Sequence, residues 1–243
     1  MRWKHTIGVG LAGLAACAWA QSNSASGTDQ NGSGSAATSE LQQATEVIQH
    51  MTTTAPDKAI PQQVLAGAKC VAVIPKLVKG AFVVGGEHGT GVATCRANGS
   101  WSPPAPFSVS GISWGPQIGG KSTDLVMFIM NEQGMNDLMA GHIKVGADVS
   151  AAAGPVGREA AASAGWKAGI LTYSSSKGAF VGASLNGAEL HADNHAIESW
   201  YGKSVPFKDS LEGNAQMPNA QARAFVNAVQ NAKETAQVCS HFE

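Results

Sequence analysis

Between Lys69 and Asn131 the chain alternates short runs of Val, Ile and Phe with glycine pairs, and few folds tolerate that pattern. The segment begins KCVAVIPKLVKGAFVVGGEHGTGVATC and continues through FSVSGISWGPQIGGKSTDLVMFIMN. β-Branched side chains pack on a pleat and glycine supplies the positive φ of tight turns, so antiparallel strands joined by turns are expected. They fall near residues 70–75, 79–86, 90–96, 107–114, 124–130 and 145–152, with two more near 167–174 and 178–185. A glycine inside a strand has a second use: it lets a sheet bend sharply or another backbone come close.

Helical spacing appears around this strand-rich stretch. Leu41, Ala44, Ile48 and Met51 recur behind Ser39, a capping residue type, so 40–53 is expected as an amphipathic helix packed on the core. Pro61 opens a short helix over 61–68. Residues 132–140 place Met135, Leu138 and Met139 on one side of another, and 219–238 form the closing helix. Residues 203–218, punctuated by Pro206, Gly213 and Pro218, read as loop. The sequence KGAFV occurs at 79–83 and again at 177–181, which suggests similar hairpins in two halves of the sheet.

The first 20 residues have the layout of an export signal, with Arg2 and Lys4 ahead of an apolar run too short to span a bilayer. Two processing routes overlap. Leu14-Ala15-Ala16-Cys17 resembles a bacterial lipoprotein box, with Cys17 as the lipid anchor, while AWA before Gln21 suits ordinary cleavage. Residues 21–39, rich in Ser, Gly and Asn, are expected as a disordered tether, and 40–238 as one folded domain. The expected location is the bacterial cell envelope, facing the periplasm and held at the outer membrane. With 16 Lys and Arg against 17 Asp and Glu, the chain has no basic face for nucleic acid. In an exported protein a pair of cysteines is expected to bridge, and Cys70 with Cys95 is the expected pair, leaving Cys239 as the odd thiol.

Catalytic patterns are weak. Gly111-Ile112-Ser113-Trp114-Gly115 matches G-x-S-x-G, but a nucleophile elbow needs a strand-to-helix turn and the following residues read as turn and strand. GGEHGTG at 85–91 imitates a phosphate loop, yet it leads into VATC, so a hairpin turn is the reading. His191, Asp193 and His195 alternate and offer metal-ligand chemistry; an exposed polar turn is the competing reading, and no metal or other cofactor is assigned. Phe82, Phe107 and Trp114 would line an apolar lipid cleft or fill the core.

Four blocks taken in order are more specific than any of these motifs. AKCVAVIPKLVKGAFVVGGEHGTGVATCR, WGPQIGGKSTDLVMFIMN, VGADVSAAAGPVGR and SSKGAFVGASLNGAELHADNHAIESWYG together resemble the SYLF lipid-binding domain family, in its bacterial exported branch. The resemblance implies an α+β fold built on a strongly bent antiparallel β-sheet with packed helices. It also implies lipid binding, to phosphoinositides and other anionic lipids in eukaryotic members, some of which have actin-associated partners, and no enzymatic activity. Lys76, Lys79, Lys121 and Arg158 are the residues carried over as candidates for a lipid surface, and Tyr201-Gly202 match a closing YG. The family's basic N-terminal segment is not matched, since residues 40–52 hold Glu40 and Glu46 and no Lys or Arg. The expectation is a non-enzymatic, membrane-associated lipid-binding protein whose partners are membrane lipids, anionic ones included. A structural or protein-interaction envelope module is the alternative, ahead of a Ser113 hydrolase.

Overall fold

A computed structural model describes residues 31–53, 60–154, 168–176, 179–182 and 187–238. Its frame is a ribbon of two long antiparallel strands, β1 (Cys70–Ala97) and β3 (Ala105–Ile129), paired from Cys70↔Ile129 to Ala93↔Ala105. A short strand, β2 (Ser100–Trp101), completes a hairpin with the end of β1 through Asn98 and Gly99, both at positive φ. An Asn-Gly pair is the preferred occupant of such a two-residue turn.

The ribbon doubles back on itself. A straight strand would separate Cys70 from Cys95 by about 80 Å, yet they form a disulfide with Cα atoms 4.0 Å apart. The backbone of Arg96 donates to Lys69 at 2.7 Å, which closes the loop. A Cβ on Gly91 would lie 2.6 Å from the Val73 carbonyl, and one on Gly89 would touch Ile74 and Leu77. Each of these contacts joins positions about equally distant from Phe82–Val83, so the bend is centred there. A register shift between Phe82 and Val84 marks it.

A second shift, between Ile74 and Leu77, sets which face points inward. Cys70, Ala72 and Ile74 face the inner core, but so do Leu77, Ala93 and Cys95. Side chains alternate along a strand, so even and odd positions share one face only if an extra residue intervenes. Lys76, at φ +71, supplies it. Without this bulge the two cysteines would lie on opposite faces.

The inner core also holds Phe107, Val109, Leu125, Met127, Leu190 and Phe207. Val71, Val73, Val92, Val126, Phe128 and Tyr173 point outward, where α1 (Asn31–Thr52), α2 (Gln62–Gly67) and the last helix, α6 (Ala220–Val238), cover them. On its free edge β3 pairs with β6 (Ile170–Ser176) at one end and β8 (Ala188–Ala192) at the other. Outside these lie β4 (His142–Lys144) on β8, β7 (Ala179–Gly182) on β6, and β5 (Ala151–Ala153), whose pairing with β6 is parallel. The sheet is therefore curled and mixed, and the fold is α+β. Helices α3 (Glu132–Met139), α4 (Asn194–Tyr201) and α5 (Phe207–Leu211) contribute Leu138, Ile197, Phe207 and Leu211 to the inner core. The Asn131, Asp193 and Asn219 side chains cap α3, α4 and α6 by accepting from backbone N–H groups at 2.8–2.9 Å.

Several expected boundaries change. The glycine pairs at 85–86 and 119–120 are not turns; they lie inside β1 and β3, and the close approach falls instead on Gly89 and Gly91. The expected loop at 203–218 contains α5. Helix α1 begins at Asn31, so Ser39 sits within it and accepts from Gln43 at 2.9 Å instead of capping it. The two KGAFV copies do not form matching hairpins: the first runs inside β1, and the described part of the second, Ala179–Val181, lies in β7.

Candidate functional site

The bent end of the β1–β3 ribbon collects most of the sequence candidates. Lys76 is exposed in the bulge, and its backbone N–H donates to Asp124 Oδ1 at 3.2 Å. Three residues on, Lys79 is the register partner of Lys121. The Lys79 ammonium lies 2.6 Å from Glu87, a carboxylate buried inside the bend. The exposed large apolar side chains among the described residues are Val78 and Ile112, at 46% and 68% exposure. Both flank the bend, Val78 between the two β1 lysines and Ile112 opposite Gly86. Cations beside solvated apolar side chains are the combination that suits a headgroup boundary. The bend holds them on paired strands.

Other candidates fare differently. Arg158, Cys17 and Cys239 lie outside the described residues, as do the side chains of Phe82, Ser113, Trp114 and Lys121. Phe107 is core. Ser113 is a mid-strand residue paired with Gly85, so the strand-to-helix turn of a nucleophile elbow is missing. A cavity of about 340 Å³ under α1 is lined by Gln43, Glu46, His50, Pro75 and Asp124 among others. Its wall mixes the acidic Glu46 and Asp124 with Val47, Met51 and Pro75, and it is open to solvent. Among the described residues no helix is long and apolar enough to cross a membrane.

The HADNH segment does not present its three residues to one point. Asp193 caps α4 and His195 enters that helix, leaving His191 on β8. His191 instead meets His142, its partner across β4, and Glu189, which lies 3.4 Å from His191 Nε2 and 3.9 Å from His142 Nε2. Lys144, at 3.3 Å, holds the Glu189 carboxyl below its usual range, and the two imidazoles add to the effect. His142 is separated from His191 by 49 positions in the sequence, and only strand pairing brings them together.

Tyr201 ties the structure's closing segment to the ribbon. Its hydroxyl donates to the Pro104 carbonyl at 2.8 Å and contacts Ser210 at 2.6 Å, and burial pushes its pKa up to about 12. Gly202 ends α4 at φ +66, a conformation that favours glycine. The YG pair thus has a structural role.

A family model described as the Las17-binding protein actin regulator Ysc84 matches residues 110–232, from the second half of the ribbon to α6. The chain belongs to the Ysc84 (SYLF) family. Protein YSC84 of Saccharomyces cerevisiae is 36% identical over 170 residues, 68% of this chain and 36% of the yeast protein. LAS seventeen-binding protein 3 of the same species is 37% identical over 171 residues, 68% of this chain and 37% of that protein. The human SH3 domain-containing YSC84-like protein 1 is 30% identical over 192 residues, 76% of this chain and 56% of that protein. The chain thus spans little more than a third of the length of these yeast relatives. No solved structure matches it.

Proposed function

We propose that this chain is a membrane-associated, lipid-contacting Ysc84-family module of the bacterial cell envelope, acting without catalytic turnover. The observation that carries the reading is the bent end of the ribbon, where Val78 and Ile112 are exposed and Lys76 is exposed two residues from Val78, while Lys79 is held by buried Glu87. Apolar side chains enter the headgroup region while each nearby lysine contributes about 1 kcal/mol against anionic lipid, falling off within a Debye length. Acylation at Cys17 would add an anchor that keeps the domain at the bilayer.

The test is flotation of the protein lacking residues 1–20 with vesicles of phosphatidylglycerol and phosphatidylcholine, against phosphatidylcholine alone. Lys79→Glu is a poor probe, because it would set a second carboxylate against buried Glu87. Lys76→Gly removes a charge at a position whose φ already favours glycine, and Val78→Asp removes the apolar contact. Salt-sensitive flotation with the anionic vesicles, weakened several-fold in both variants, is the expected result. Equal flotation of both variants and the parent, or none at all, overturns it. A second reading, a protein-binding module, draws on the family's printed description as a Las17-binding actin regulator. It is favoured if vesicles are ignored.

A further inference from the structure

We propose that His142, Glu189 and His191 form a binding site for a divalent transition-metal ion of the zinc class. The site uses other residues than the lipid-facing candidates and does not rest on the lipid reading.

Strand geometry makes the arrangement. His142 and His191 are register partners on β4 and β8, and Glu189 precedes His191 by two residues, which returns it to the same face. All three side chains therefore stand in one row above a paired sheet, with His142 and Glu189 on neighbouring strands and the rings 4.7 Å apart. Their ligand atoms lie within 4.8 Å of one another. Zinc binds imidazole nitrogen and carboxylate oxygen at about 2.0–2.2 Å, which sets tetrahedral ligands roughly 3.3–3.5 Å apart. The His191–Glu189 separation of 3.4 Å already meets that, and the His142–Glu189 separation of 3.9 Å needs only a small side-chain rotation.

The donors select the ion. Two imidazoles and one carboxylate suit zinc, copper or nickel; calcium and magnesium prefer all-oxygen sets. Lys144 does not block the site, because it takes Glu189 Oε1 and leaves Oε2 toward both histidines. All three side chains are 39–45% exposed, so the ion would have a solvent-facing fourth position for water or an oxygen of another molecule. A simple ion-pair cluster explains the Lys144 contact. The two imidazoles meet on the oxygen that the lysine leaves free, and that is also the donor arrangement a metal ion takes.

The experiment is calorimetric titration of the full chain, disulfide intact, with zinc alone, and with cobalt followed by visible absorption. One saturating equivalent is expected, with the cobalt band of a low-coordinate site. Loss of partners that only orient metal ligands costs about 10–100-fold in affinity, so His142→Ala and His191→Ala should each cost at least about 10-fold. The double variant should remove the stoichiometric step. Lys144→Met and His195→Ala should retain it, since neither side chain is a ligand. Absence of saturable binding, or an unchanged isotherm in the His142→Ala/His191→Ala protein, overturns the proposal. All of these positions are at least partly exposed, and matched circular-dichroism melts establish that a lost isotherm reports on ligands and not on folding.

Discussion

Glu40 is a carboxylate held in a largely buried setting. It sits on α1, turned toward the sheet, with Oε1 buried and without a hydrogen-bond partner among the described residues. Burial raises its pKa to about 7, a hydrogen bond with Thr90 opposes the rise, and the Asp193 carboxylate adds to it. Because the folded value exceeds the unfolded one, the native state binds more protons between about pH 4.5 and 7. This group's contribution is thus full below pH 4.5 and lost as pH rises through 7. Glu40→Gln should be more stable than the parent at pH 8 by about 2 kcal/mol and flatten the slope between pH 5 and 8. Urea denaturation across that range measures both. Residues 40–52 pack on the core as their periodicity predicts, but periodicity cannot disclose that Glu40 faces Thr90 and Asp193, since one partner lies on another element 50 positions on and the other more than 150.

At the scale of elements, most strand segments were legible and their joints were not. Val, Ile and Phe announce extended chain whether or not it continues, while a glycine pair reads the same in a turn as in a bend. What separates the cases at Gly91 is the carbonyl of Val73 and the ring of Phe107 on its missing side chain, both distant in sequence. The candidate site shows the same division. Lys76 and Lys79 are visible as basic residues, whereas the bulge that leaves Lys76 and Val78 exposed and turns Lys79 toward buried Glu87 is not; nothing local links His142 to His191. The Cys70–Cys95 bridge closes within a single strand, where the sequence reads as separate strands at 70–75 and 90–96. Its effect is still calculable: closing a loop with sequence separation 25 contributes about 3 kcal/mol by chain entropy. Replacing both cysteines with serine should lower Tm by roughly 6–12 °C for a chain of this size, read by circular dichroism. An unchanged Tm would mean that the backbone contacts around Lys69 and Arg96 hold the loop unaided.

The whole molecule owes its shape to one ladder that starts at a local turn. From Asn98–Gly99 outward, paired residues grow steadily farther apart along the chain, from Ala97↔Ser100 to Cys70↔Ile129. Each new rung encloses only slightly more chain than the last, so closing it adds little entropy cost once its neighbour has formed. A protein with so many long-range contacts need not search for them independently; it can zip. Gly99, at φ +79, occupies the point where zipping begins, and Gly89 a point that matters only when the finished ribbon folds over. Gly99→Ala should therefore act mainly on the folding limb of a urea chevron, and Gly89→Ala mainly on the unfolding limb. In temporal terms, the Asn-Gly turn is the start of the assembly and the doubled ribbon its last event.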